Sequence, residues 1–160
     1  MMNKNDILNS SLEIALRILT LLRAVPDEQL DVDEILLLDY FVLHTHDFDS
    51  KLNSIHPSIP NRENEIFVRR QAVQQAIYLL ESRQLLTTSY TSTGIRYSSN
   101  NLTISFVDYF ESPYANKLKD NIAIINEKSK RALVKEIKKS LFSSANLWKN
   151  NLNDWLMEET

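Results

Sequence analysis

Three histidines, His44, His46 and His56, fall within one short stretch that also holds Asp47 and Asp49, with Asp39 a few residues upstream. Carboxylates and imidazoles gathered this way raise the prospect of a metal cluster, and Ser54 beside His56 raises that of a nucleophile with its base. Neither pattern has the required spacing. Histidine ligands presented from a helix need an i,i+4 pair, whereas His44 ends a predicted helix and His46 follows two residues later. A serine and a histidine two apart in a loop rarely align, and no third group stands ready to orient them. The structural alternative places His44 at the C-terminal carbonyls of its helix and His56 in hydrogen bonds within the proline loop "SIHPSIP". The expectation is a chain with no catalytic set and no metal site.

Composition narrows the chemistry further. There is no cysteine, which excludes disulfides, thiolate catalysis and zinc-thiolate sites. Gly94 is the single glycine, so neither a Walker loop nor a dinucleotide loop can form, since both need several glycines where backbone approaches phosphate. No cofactor is expected. The net charge of −3 argues against a surface that grips nucleic acid on every side. Charge is uneven, however: residues 1–100 carry nine Lys and Arg against thirteen Asp and Glu, and residues 101–160 carry nine against eight. The start, "MMNKNDILNSS", lacks a cationic and apolar leader, and no apolar run is long enough to span a bilayer. A cytoplasmic protein with no membrane contact is expected.

Elements that would position these residues can be read from periodicity and caps. Ser10 and Glu13 have capping-box spacing before a helix from about Ser11 to Ala24, closed by Pro26. Leu30 and Val32 alternate like a very short strand, and a second helix, almost wholly apolar, follows from about Asp33 to His44. A third helix is predicted from about Asn64 to Arg83, then two strands, Leu85 to Tyr90 and Ile95 to Ser98, joined at Thr93 and Gly94. Helix, short strand, helix, helix, hairpin is the order of a winged helix-turn-helix. The predicted fold is therefore mainly α: a winged helix-turn-helix domain over 1–100 and a C-terminal helical extension over 101–160.

Third-helix residues divide into two faces. Ile66, Val68, Ala72, Val73, Ala76, Ile77, Leu79 and Leu80 form a broad apolar arc that also contains Arg69 and Arg83. A guanidinium in such an arc needs a partner, because leaving it unpaired costs several kcal/mol. Asp39, embedded in "LLLDYFVLH", has the complementary need. A brace between Asp39 and Arg69 or Arg70 is predicted. The opposite face offers Phe67, Gln71, Gln74, Gln75, Tyr78 and Ser82 with no central cation. Glutamine can read adenine, yet phosphate contacts call for clustered cations, and uncharged aromatic faces also describe protein interfaces. The composition favours protein contact, with Phe67, Gln71, Gln74 and Tyr78 as interface candidates.

The C-terminal helical arm is amphipathic. Val134, Leu141, Trp148 and Trp155 recur every seven residues, a seam that either docks on the protein's own core or pairs with another helix. Tryptophans at such positions favour an interface, which adds Trp148 and Trp155 to the candidates. Lys128, Arg131, Lys135, Lys138 and Lys139 occupy the other face, as a solvated surface or as candidate contacts to DNA phosphates.

Taken in order, "LLLDYFVLH", "SIHPSIPNRENEIFVRR", "LLESRQLL", "GIRY" and "SPYANKL" closely resemble the middle-component proteins of three-component ABC-ATPase systems, the small subunits of Lamassu-type anti-phage defence operons. The resemblance runs from about Ser11 to Leu118 and is most specific at D-Y-x-x-x-H, Asp39 to His44, and H-P-x-x-P-x-R, His56 to Arg62. It implies a non-enzymatic subunit between an SMC-like coiled-coil ATPase and an effector, often a nuclease, that is held inactive until foreign DNA is sensed. It transfers no functional residue. A free-standing winged-helix DNA-binding regulator, dimerising through the arm, is the alternative.

Overall fold

The computed structural model describes residues 10–57, 62–128 and 130–142. The chain is mainly helical, with one two-stranded sheet. Helix α1, Ser11–Ala24, starts where Ser10 accepts a hydrogen bond from the Glu13 amide, one half of the predicted capping box. Helix α2, Val32–Leu43, begins in a complete capping box: Asp31 accepts from the Glu34 amide at 2.7 Å and Glu34 accepts from the Asp31 amide at 3.0 Å. Nine consecutive residues of α2, Ile35 to Leu43, are buried, as its lack of a polar face requires.

Helix α3, Arg62–Ser82, packs on both α1 and α2. Its buried face is narrower than the sequence suggested: Ile66, Arg69, Val73, Ala76, Ile77 and Leu80 point inward, while Val68 is 76% exposed. Arg83 is also exposed, contrary to its assignment to the apolar arc. The cause is how α3 ends. Gln84 adopts φ 56°, its N–H bonds to Glu81 O, and the Leu85 N–H bonds to Leu80 O. Those two bonds form a Schellman closure, which turns the chain before Arg83 can continue the arc. The same closure takes up Leu85, so strand β1 covers Thr87–Thr91 rather than starting at Leu85.

Strand β2, Gly94–Ser98, runs antiparallel to β1 with Thr91 opposite Gly94. Gly94 has φ +121°, a conformation that favours glycine, and Thr91 Oγ1 donates to its carbonyl across the turn. Leu30 joins this sheet as an isolated bridge to Tyr97, exchanging bonds of 2.9 and 2.8 Å.

Beyond the hairpin come α4, Asn101–Val107, capped by Asn100; α5, Pro113–Glu127, capped by Ser112 with Pro113 in its first turn; and α6, Lys130–Phe142. Helices α4 and α5 pack on α1, and α5 and α6 pack on α2. The cluster of buried apolar residues therefore runs without interruption from Ile14 to Leu141, across residue 100. Among the described residues no helix is long and apolar enough to cross a membrane.

Candidate functional site

Two features bear on function: a buried charge network at the meeting of α1, α2, α3 and α5, and the outer surface of α3 beside the hairpin.

The network centres on Asp39, 4% exposed in the middle of α2. Arg17 of α1, itself 2% exposed, holds the carboxylate at both oxygens, Nε to Oδ1 at 2.7 Å and Nη2 to Oδ2 at 3.0 Å. Arg69 Nη1 approaches Oδ2 from α3 at 3.8 Å. Of the partners expected for Asp39, Arg69 is the one that lies beside it. Arg70 is turned one residue around the helix and pairs with Asp33 at 2.9 Å instead. The principal partner, Arg17, was missed, although it carries the same signal as Arg69: a lone arginine inside the apolar face of "LEIALRILTLL".

The network extends past these three residues. Arg17 Nη1 donates to Glu13 at 3.0 Å, the Tyr114 hydroxyl of α5 donates to the same Glu13 oxygen at 2.9 Å, and His56 Nε2 lies 3.3 Å from that hydroxyl. Burial alone would raise the Asp39 pKa, but the Arg17 and Arg69 charges overcome it and hold the carboxyl below its usual range. Burial pushes Glu13 up. Burial, followed by repulsion from Arg17 and Arg69, lowers His56 to about 4, so it is neutral at pH 7. The Asp39 carboxylate is thus enclosed between guanidiniums from two neighbouring helices, which ties α1, α2 and α3 together.

The loop after α2 is held by its own bonds. Its first turn, Thr45–Asp47, is a short 3-10 helix, and His46 N–H donates to Ser54 Oγ at 3.1 Å. Thr45 Oγ1 donates to Asn53 O, and the Ile55 and His56 amides both donate to Leu43 O. Ser54 and His56 thus face different partners. His44 closes α2 as expected, but through its backbone N–H, while its ring stacks on Tyr40 at 4.7 Å. Among the described residues no group of three His, Cys, Asp or Glu converges on a point that could hold a metal.

On the outer surface of α3, Gln71, Gln75 and Tyr78 are exposed and Gln74 is half-buried, its amide 3.3 Å from the Tyr78 hydroxyl. The side chain of Phe67 lies outside the described residues, as do Trp148 and Trp155. Tyr90 and Ile95, opposite one another across the hairpin, are 83% and 46% exposed and extend this surface. Three arginines near its edges are engaged within the chain, Arg69 with Asp39, Arg70 with Asp33, and Arg96 with Glu34 at 2.9 Å and Asp31 at 3.3 Å, while Arg83 at the end of α3 is exposed. Arg96, which ties the hairpin to the start of α2, was not singled out from the sequence.

On α6, Leu133, Ile137 and Leu141 are buried and Val134 packs against the same core. The described part of the seam therefore docks on the protein itself. Lys128 pairs with Glu136 at 3.6 Å and Lys138 is half-buried, while Arg131, Lys135 and Lys139 are exposed.

A sequence-family model described as ABC-three component (ABC-3C) system Middle Component 2 matches residues 7–151. The chain belongs to this family. No curated protein and no solved structure matches it. As a middle component of a multi-component ABC-ATPase system, the chain has partner subunits by definition. Within this middle component, both the brace and the outer surface of α3 lie in the matched span.

Proposed function

We propose that this middle component is a non-catalytic assembly and regulatory subunit of a Lamassu-type anti-phage defence complex. It bridges an SMC-like ATPase and an effector, most simply a nuclease, and restrains the effector until foreign DNA is engaged. In this reading residues 11–98 act as a cytoplasmic winged helix whose third helix meets protein instead of a DNA groove. One observation carries the proposal: Arg69, Arg70 and Arg96 are committed to Asp39, Asp33 and the Asp31–Glu34 pair, which leaves Arg83, at the far end of α3, as the exposed arginine among the described side chains of this helix and its closing turn. A DNA-reading helix needs such cations turned toward phosphate. What α3 and the hairpin offer is glutamine, tyrosine and isoleucine, the uncharged centre of a protein interface. Contact with DNA, where the assembled complex makes it, falls to Arg131, Lys135 and Lys139 on the exposed side of α6.

The experiment is co-purification with the products of the two neighbouring genes, beside duplex-DNA binding by the isolated chain. The assembly reading expects a stable complex and weak DNA binding. Tight, steeply salt-dependent DNA binding by the chain alone, with no capture of its neighbours, would instead establish a free-standing regulator.

A further inference from the structure

The hairpin presents an open edge. Leu30 and Tyr97 exchange both of their backbone bonds, so the N–H and C=O of Tyr97 point away from β1. Its partner Thr88 is therefore a non-hydrogen-bonded position of the ladder between β1 and β2, and Tyr90, two residues on and opposite Ile95, is another. The backbone groups of Thr88 and Tyr90 consequently face outward from the sheet. No hydrogen bond joins them to another element among the described residues.

This strand lacks the charges, proline and bulge that usually keep an edge from pairing. Its sequence is "TTSYT", and its register with β2 runs from Thr87 to Thr91 without interruption. Threonine and tyrosine favour extended backbone. Alternating outward N–H and C=O groups are recognised by one kind of partner, another extended strand. The symmetry of the edge selects whose strand that is. Thr88 and Tyr90 flank Ser89, so an antiparallel copy of β1 with the two-fold axis at Ser89 sets Thr88 opposite Tyr90 of the second copy, and Tyr90 opposite its Thr88. Both pairs then exchange both backbone bonds. The side-chain pairs that result are tyrosine with threonine, twice, and serine with serine, with no like charges facing. Tyr90, 83% exposed on the single chain, gains a neighbour.

We infer that two copies of this chain associate edge to edge through β1, joining their two-stranded sheets into one and setting the Tyr90 and Ile95 faces of both copies side by side. The inference goes beyond the assembly reading and does not depend on it. A strand from another subunit would meet the same backbone groups; the second copy is the occupant whose residues, read from β1 itself, satisfy the register on both sides.

The test uses the isolated full chain. Sedimentation over a wide range of concentration should show reversible dimers, since one short strand pair makes a small interface. Ser89→Glu faces Arg96 within its own copy, which the hairpin tolerates, but it sets like charges opposite one another at the axis and should weaken self-association by about fivefold. Ser89→Lys should act in the same direction, and mixing the two variants should restore dimers. The chain has no cysteine, so Ser89→Cys supplies a single thiol. Cα atoms of a non-hydrogen-bonded pair lie about 4.5 Å apart, within disulfide reach, so oxidised glutathione should cross-link this variant to a dimer. Ser92→Cys, in the turn and well off the axis, should stay monomeric. A wild-type chain that is monomeric throughout overturns the proposal. So does a dimer that neither charge variant weakens and Ser89→Cys does not cross-link, which would place self-association on another face. Either failure leaves the assembly reading standing, because that reading is judged by capture of the neighbouring components.

Discussion

Arg17 clasps Asp39 with two nitrogens, at 2.7 and 3.0 Å, joining the first turns of α1 to the middle of α2 where both side chains are almost wholly buried. This bidentate contact, with Arg69 entering from α3 and Glu13 and Tyr114 behind Arg17, fixes the relative placement of four helices. Buried ion pairs contribute little net stability compared with apolar residues of the same shape, but breaking one strands a charge. The network is therefore a strong constraint on which packing is allowed.

Asp39→Ala is expected to destabilise the protein by roughly 3–5 kcal/mol, because it leaves both Arg17 and Arg69 without their shared carboxylate. Thermal or urea denaturation measures it. A melting temperature within a degree or two of the wild type would show that the network is dispensable.

Arg70→Ala serves as the contrast. Its bridge to Asp33 is more than a third exposed on one side and close to it on the other, so screening reduces its worth to about 1 kcal/mol or less. A loss as large as that of Asp39→Ala would contradict the distinction between braced and surface arginines.

Acid should weaken the fold through His56. Its folded pKa of about 4 lies below the ordinary 6.5, so in the window between them the unfolded chain takes up a proton that the folded chain refuses. Stability from this group is complete above pH 6.5 and is lost as pH falls toward 4, by on the order of 3 kcal/mol. Glu13, raised by burial, works in the opposite sense, since the folded state binds its proton more readily. Unfolding free energy followed against pH should slope downward through this window, and His56→Gln should flatten the slope.

Gln84→Gly should stabilise the protein. Gln84 holds φ 56° at the closing turn of α3, where a side chain costs about 1 kcal/mol relative to glycine. Glycine's extra freedom in the unfolded chain offsets part of that, leaving an expected gain of a few tenths of a kcal/mol. A lower melting temperature would mean that the glutamine side chain contributes something the backbone argument lacks.

Much of the architecture was legible in the residues themselves. Ser10, Ser112 and Pro113 mark helix starts by local chemistry, so α1 matches its predicted limits and α5 begins at the predicted cap. Gly94 locates the turn by its backbone freedom. The end of α3 was less legible, because a glutamine in a left-handed turn gives no warning in the sequence and two leucines after it look like a strand. Separation along the chain explains what was missed at the site: Arg17 lies 22 residues from Asp39, and Tyr114 lies 101 from Glu13.

Alone, the sequence established that Arg69 and Asp39 sit on apolar helix faces and need partners, that the glycine and cysteine content excludes whole classes of chemistry, and that α3 has an uncharged side. Only the tertiary structure decided that Arg17 is the chief partner of Asp39 and that Arg96 serves the start of α2. The reason is physical. Periodicity and capping are set within a turn or two of helix, whereas the choice of partner depends on which distant elements pack together, and that is determined by the whole core at once.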